Sequence, residues 1–162
     1  ELAYDPVTRV LVQVRQRYWE AQGGQGWALT DDPTEIWHPT HDQPGPRGVL
    51  VSYMRSRLGQ RLAALDEPAR VAATLAQIER LFPGVHAHAE GAVSVRWAED
   101  PWARGAYVVL KPGQIGAFYP HITRPNWRLH LAGEHVSALP NWMQGALESG
   151  VRAAREVHAA AD

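Results

Sequence analysis

The chain has 162 residues, 45% of them hydrophobic and 20% charged, a balance typical of a globular protein with a buried core. Its 16 Lys plus Arg and 17 Asp plus Glu leave a formal net charge of -1, so we expect no nucleic acid and no membrane partner. The chain contains no cysteine, which excludes disulfides, thiolate catalysis and a cysteinyl cofactor link within it. The first residue is Glu1 instead of Met, from which we expect a fragment or a processed chain.

Hydrophobic patterning predicts strands and helices in alternation, without internal repeats. Residues 8–14 alternate as a strand, with Val10, Val12 and Val14 on one face. A loop rich in Gly, Pro, Asp and Thr follows over residues 23–47, interrupted by a short strand at 35–38. The apolar run 48–54 predicts a strand buried on both faces, and residues 92–97 and 127–131 predict two more strands.

Two helices are predicted from their caps and their spacing. Asp66 caps the first, Pro68 lies in its first turn, and Pro83 with Gly84 ends it. The second covers about residues 142–158. One side of it carries small residues, which allow close approach to another backbone or to a flat ligand: Gly145, Ala146, Ser149, Gly150 and Ala153.

The run LHLAGEHVSALPNWMQGALESGVRAAREV, at residues 129–157, closely resembles the C-terminal flavin-binding motif of flavin amine oxidases. The resemblance implies that a strand delivers Gly133 close to the sugar-phosphate chain of the flavin and that Glu134 hydrogen-bonds there. The next helix would point its N–H groups at the flavin pyrimidine, which suits the negative charge of the reduced ring. The cofactor-binding residues so implied are Gly133, Glu134, Asn141, Trp142, Met143 and Ala146.

Upstream segments extend the resemblance over almost the whole chain. TRVLVQVRQRYWE (8–20), TDDP (30–33), GVLVSYM (48–54) and RWAEDPWARGAYVVLKPGQ (96–114) resemble successive segments of the family. In its L-amino-acid-oxidase branch, the Tyr of the third segment binds the substrate carboxylate, which assigns that role to Tyr53. The resemblance also implies that Trp97 packs beside the flavin. Further substrate-binding residues would be Tyr107, Trp142 and Trp37.

Two residues depart from the family pattern. Arg9 stands where the family usually has a Lys that holds a water near flavin N5. We assign Arg9 a catalytic role, although a forked guanidinium cannot reproduce a compact ammonium. Asn141 stands where L-amino-acid oxidases often have Gly, which changes the geometry near the carboxylate end of the site.

The fold class expected is α/β (mixed α+β). Residues 1–125 would form mainly part of a mixed-sheet substrate-binding domain, and residues 126–162 the last strand and helix of an FAD-binding Rossmann-like domain. No Gly-x-Gly-x-x-Gly follows a predicted strand, although a dinucleotide normally needs that turn. We therefore expect a partner polypeptide carrying that N-terminal half, noncovalent FAD, and a higher oligomer.

The activity implied is oxidative deamination of an L-amino acid, with hydride transfer to flavin N5, imine hydrolysis and reduction of O2 to H2O2. Alternatives are a monoamine or polyamine oxidase, an amino-acid monooxygenase, and a noncatalytic interaction subunit, the last suggested by Arg9. Two histidine pairs, at positions 38 and 41 and at 86 and 88, have neither a third ligand nor a carboxylate at a fixed offset, so we expect no metal.

Overall fold

The computed structural model describes residues 2–31 and 34–160. Expectations drawn from Glu1 and from Asp32 and Pro33 of the TDDP segment lie outside the described residues. The chain divides into two compact units, which are described separately: Pro6–Gly105, and Glu1–Asp5 together with Ala106–Asp162. This boundary falls earlier in the chain than the division at 125/126 drawn from the sequence, and the functional role of each part stays a prediction.

The Pro6–Gly105 unit is built on a five-stranded sheet. Its strands are β2 (Thr8–Val14), β3 (Ala28–Leu29), β4 (Thr34–Trp37), β5 (Gly48–Met54) and β6 (Ala89–Arg96). They lie in the order β3-β4-β5-β2-β6, and each described pairing is antiparallel. The predictions for residues 8–14 and 48–54 are confirmed without a shift at either end. Both segments carry Val-rich patterns that fit a pleated, buried sheet.

Helices cover one face of this sheet. They are α1 (Tyr18–Ala21), α2 (Ser56–Ala63), α3 (Glu67–Leu81) and α4 (Val85–His88), and a short 3-10 helix, Trp97–Glu99, follows β6. The predicted capping is confirmed, because the Asp66 carboxylate accepts the Ala69 N–H at 2.8 Å. Alternate residues of the strands pack with the helices into one core, which includes Val10, Val12, Trp19, Ile36, Leu50, Met54 and Ile78.

Arg70 lies inside this unit with only 2% of its surface exposed. Its guanidinium donates to the Leu62 carbonyl at 2.8 Å, to the Ser94 hydroxyl at 2.6 Å, and to the carbonyls of Ala63 and Leu65. These carbonyls belong to the end of α2 and the turn after it, where helical partners run out. Arg70 therefore ties α2 to α3 and, through Ser94, to β6.

The second unit pairs β1 (Ala3–Tyr4) with β7 (Val108–Val109) in a small antiparallel sheet. It also contains α5 (Gln114–Ile122), a 3-10 helix (Glu134–Val136) and α6 (Met143–Ala159). The predicted C-terminal helix is confirmed, with Trp142 as its N-cap residue. Among the described residues, no helix is long and apolar enough to cross a membrane.

The strand predicted at residues 127–131 is wrong. The segment makes a turn closed by an isolated bridge between Asn126 and Leu129, and Trp127 has a φ of 54°. A strand forms only where a neighbouring strand takes its hydrogen bonds, and no described strand pairs with this segment. Its backbone is held by α6 instead, because Arg152 donates to the Leu131 carbonyl at 2.9 Å.

Candidate functional site

Three of the predicted site residues meet on the sheet face opposite the helices. Antiparallel pairing places Arg9 of β2 beside Tyr53 of β5, and Tyr53 beside Glu35 of β4. Trp37 lies two residues further along β4, so the pleat brings its side chain to the same face. The register of three strands, set by the buried residues on the other face, therefore assembles this cluster.

Tyr53 is the centre of the cluster and is only 6% exposed. The Cζ atom of Arg9 lies 4.6 Å from the centroid of the Tyr53 ring, a cation–π distance. The Trp37 ring lies 5.6 Å from the same ring, at an angle of 52°. Tyr53 is thus held between a cation and a second aromatic ring. These contacts do not test the substrate role predicted for Tyr53, which stays a prediction.

Beside this cluster, Glu35 and Arg55 form an ion pair at 3.0 Å. No local sequence pattern indicates this pair, because the two residues meet only through the pairing of β4 with β5. Leu11, two residues after Arg9, begins an open groove of about 390 Å³ along the same face, which Val49 and Val93 also line. A cation, aromatic rings and an apolar groove therefore share one surface.

In the second unit, Glu134 holds two separate backbone segments together. One carboxylate oxygen accepts the Val108 N–H of β7 at 2.9 Å, and the other accepts the Asn141 N–H at 2.7 Å. Asn141 adopts a φ of 73°, and Trp142 after it caps α6. Glu134 thereby positions the start of α6. The resemblance had implied a hydrogen bond to the cofactor for Glu134 and did not indicate this backbone role.

The small-residue side of α6 is occupied by its own chain. The Ser149 hydroxyl accepts the Gly133 N–H at 2.9 Å and lies 2.8 Å from the Gly133 carbonyl. A Cβ on Gly145 would lie 2.1 Å from the Leu139 carbonyl oxygen, so only glycine fits there. Gly133 has a φ of 138°, which other residues rarely adopt. These small residues hold the loop before α6 against the helix.

The N-terminus of α6 presents groups that fit a flavin. Among the described residues, no side chain caps the first turn. Gly145 and Ala146 donate their N–H groups to the Trp142 carbonyl, which leaves the N–H groups of Met143 and Gln144 for a ligand or for water. Trp142 is 66% and Met143 79% exposed, and Ala146 is exposed on the next turn. A helix of 17 residues with an uncapped N-terminus offers donors and positive potential to an electron-rich carbonyl or ring nitrogen.

The two remaining predicted site residues, Trp97 and Tyr107, make backbone hydrogen bonds. Trp97 starts the 3-10 helix after β6, is half-buried, and donates its N–H to the Val7 carbonyl at 3.1 Å. Tyr107 lies in the second unit, where its carbonyl accepts the Asp5 N–H at 3.0 Å. The site roles of both residues stay predictions.

A polar network missed by the sequence reading joins α6 to the segment before Gly133. Glu156 accepts from Arg152 at 2.8 Å and lies 3.1 Å from His130 Nδ1. The bonds from Arg152 and then His130 lower the pKa of Glu156. Arg152 follows Glu148 and precedes Glu156 at helical spacing, which is the one local signal that could have indicated the pair.

The histidine pairs show no metal-binding arrangement. The rings of His38 and His41 meet edge to face at 5.9 Å, and His88 stacks on Tyr18 at 4.6 Å. Burial, followed by the nearby His41, lowers the pKa of His38. In the part of the chain that the structure describes, no group of three or more His, Asp or Glu could hold a metal.

With this geometry established, comparison with known proteins identifies the family. The protein-family model for flavin containing amine oxidoreductase matches residues 1–158. The chain belongs to this family. The flavin predicted from residues 129–157 agrees with this membership, and the fold class is confirmed.

Relatives in this family include oxidases of amino acids. The L-amino-acid oxidase of Siganus canaliculatus is 32% identical over 96% of this chain and 31% of its own length. The flavin-dependent L-tryptophan oxidase RebO of Lentzea aerocolonigenes is 30% identical over 98% of this chain and 36% of its own length. A triple mutant of putrescine oxidase has the same fold, with a TM-score of 0.87 at 21% identity over 98% of this chain and 36% of that chain. The chain thus spans about a third of these proteins.

Proposed function

We propose that the flavoprotein containing this chain oxidises the amino group of an L-amino acid. The observation that carries the proposal is the cluster of Arg9, Tyr53 and Trp37, which joins a cation to aromatic rings on one sheet face. Similarity to curated L-amino-acid oxidases over nearly the whole chain supports it. Likeness to putrescine oxidase, at 21% identity, supports the fold alone.

The residues of this chain would bind and orient the substrate. When bound, FAD would supply the two-electron oxidation of the amine to an imine, which water hydrolyses to the keto acid and ammonia, while O2 would be reduced to H2O2. In the Pro6–Gly105 unit, Trp37 would exclude water and disfavour the ammonium, because an unpaired charge is costly to desolvate. Tyr53 of the same unit would position the substrate. The substrate roles of Tyr107 and Trp142, which lie in the other unit, stay expectations from the resemblance.

For the cofactor, the residues of the second unit fit a noncovalent flavin. The uncapped start of α6 would stabilise negative charge on the ring, with Trp142 and Met143 supplying N–H groups. Glu134 would act through the backbone of Val108 and Asn141, whose positions it fixes. Gly133, which has no side chain, would let the cofactor lie close to the backbone.

We further propose that a polypeptide with the Gly-x-Gly-x-x-Gly half of the FAD-binding domain covers the exposed side of α6. Met143, Leu147 and Val151 recur every four residues there and are 79%, 71% and 52% exposed. Leu129 and Leu131, in the segment before Gly133, are also exposed. An apolar stripe of this kind is typical of a surface that another element buries. The relatives are about three times as long as this chain, which leaves room for that half.

The test is an absorbance spectrum of the complete flavoprotein before and after anaerobic addition of the twenty L-amino acids, one at a time. Flavin bands that bleach with an amino acid and recover in air, with release of H2O2 and ammonia, support the proposal. Bleaching by primary amines alone would overturn the amino-acid assignment in favour of an amine oxidase. Bands that no amine or amino acid bleaches would favour a noncatalytic subunit.

A further inference from the structure

On the site face of the sheet, Glu35 and Glu90 are each paired with an arginine other than Arg9. Glu35 is paired with Arg55 at 3.0 Å, and at the far end Glu90 is bound by Arg47 at 3.0 Å. Among the described residues, no carboxylate forms an ion pair with Arg9. The net charge contributed by these five side chains is therefore positive and resides on Arg9.

The guanidinium of Arg9 is held in place but incompletely satisfied. It lies over the Tyr53 ring at 4.6 Å, which restricts its orientation. Its Nε is buried and has no hydrogen-bond partner within residues 2–31 and 34–160. Buried donors are normally paired, so an unpaired one on a site face indicates a missing acceptor. Val95, opposite Arg9 on β6, and Leu11 on the same strand provide apolar neighbours that strengthen electrostatic attraction.

We propose that Arg9 binds the carboxylate of the substrate and so selects amino acids over amines. A guanidinium presents N–H donors in a planar fork that matches the two oxygens of a carboxylate. The same charge repels the second ammonium of a diamine. The inference rests on the proposed function and assigns Arg9 a specificity role in it, with the Tyr53 ring orienting the guanidinium.

The kinetic test compares two substrates of the complete flavoprotein. One is the L-amino acid that bleaches the flavin fastest, and the other is the amine formed from it by loss of the carboxylate. In Arg9→Met we expect KM for the amino acid to rise about ten- to a hundredfold, the loss of charge-assisted hydrogen bonds, while KM for the amine stays the same or falls. Arg9→Lys should recover part of the affinity, because it keeps the charge without the fork.

Arg57→Met is the matched control, since Arg57 is an exposed arginine of the same unit that lies on α2 and is not one of the charges counted on the site face. It should change neither KM. Equal changes for both substrates in Arg9→Met would show a general structural or catalytic role and overturn the proposal. An unchanged KM for the amino acid would overturn it as well.

A binding measurement separates this proposal from the proposed reaction. Calorimetry would compare 3-phenylpropionate with its neutral amide, neither of which has an amine to oxidise. We expect the carboxylate to bind more tightly than the amide to the wild type and to Arg57→Met, and this preference to be lost in Arg9→Met. If the preference is present but no amino acid bleaches the flavin, the reaction assignment fails and the Arg9 site stands. If the preference survives in Arg9→Met, the Arg9 site fails whatever the enzyme oxidises.

Discussion

Replacing Glu134 by Gln tests whether this residue acts on the cofactor directly or through the backbone. The carboxylate accepts two backbone N–H groups, from Val108 at 2.9 Å and from Asn141 at 2.7 Å. A hydrogen bond to a charged acceptor contributes about 1.5–3 kcal/mol and one to a neutral acceptor about 0.5–1.5 kcal/mol. Gln keeps one neutral acceptor and turns an NH2 group toward the other N–H. We expect a local loss of about 2–4 kcal/mol.

Hydrogen exchange measures this loss at the two amides themselves. Since about 1.4 kcal/mol corresponds to a factor of ten, protection of the Val108 and Asn141 amides should fall by about 30- to 1000-fold. Glu148→Gln, an exposed glutamate of α6, is the control and should leave both amides protected. Flavin affinity should fall in parallel with the lost protection. Weaker flavin binding with unchanged exchange at both amides would refute the backbone role and restore a direct contact with the cofactor.

Three further variants test the packing that surrounds the site. Arg70→Met should destabilise the protein by about 3–5 kcal/mol in denaturant unfolding, because it leaves the carbonyls at the end of α2 without their donor; a loss below 1 kcal/mol would contradict that role. Gly145→Ala should lower the melting temperature and weaken flavin retention, since the Leu139 carbonyl occupies the space of the new methyl group, whereas the same change at Gly150, where a Cβ meets nothing within 4 Å, should be neutral. His38 has a lowered pKa because of its burial, so the unfolded chain binds its proton first as pH falls below 6.5, and stability should decrease over that window. His38→Gln should reduce this pH slope, and a slope equal to that of the wild type would be inconsistent with the assignment.

Elements with strong local patterns could be predicted from the sequence. Strands β2 and β5 and helix α3 each carry a clear periodicity or cap, and each lies where the pattern placed it. Helix α2 was missed because its interior contains a glycine, Gly59, which usually indicates a turn. The structure gives the reason for that glycine: a Cβ there would lie 2.3 Å from the Pro6 carbonyl oxygen. Tertiary packing, not helix propensity, selects the residue.

The candidate site could be predicted only in part. The sequence named Arg9, Tyr53 and Trp37 separately, but their adjacency depends on the register of β2, β4 and β5, which is a nonlocal property. The strand expected at residues 127–131 failed for a related reason. Its apolar residues have the right pattern, yet a strand needs a partner, and the resemblance assigns the rest of that sheet to the other half of the domain.

The structure changes how the flavin motif is understood in this chain. Ser149 is hydrogen-bonded to the backbone of Gly133, and Glu134 accepts the N–H groups of Val108 and Asn141, so the motif fixes where α6 begins. The chain's own residues therefore set the position of the uncapped, exposed start of α6. Preorganised donors gain affinity because little ordering remains to be done on binding. It follows that variants of Glu134 or Gly145 should weaken flavin binding without touching the ring, whereas variants of Arg9 should change substrate choice and leave flavin affinity intact.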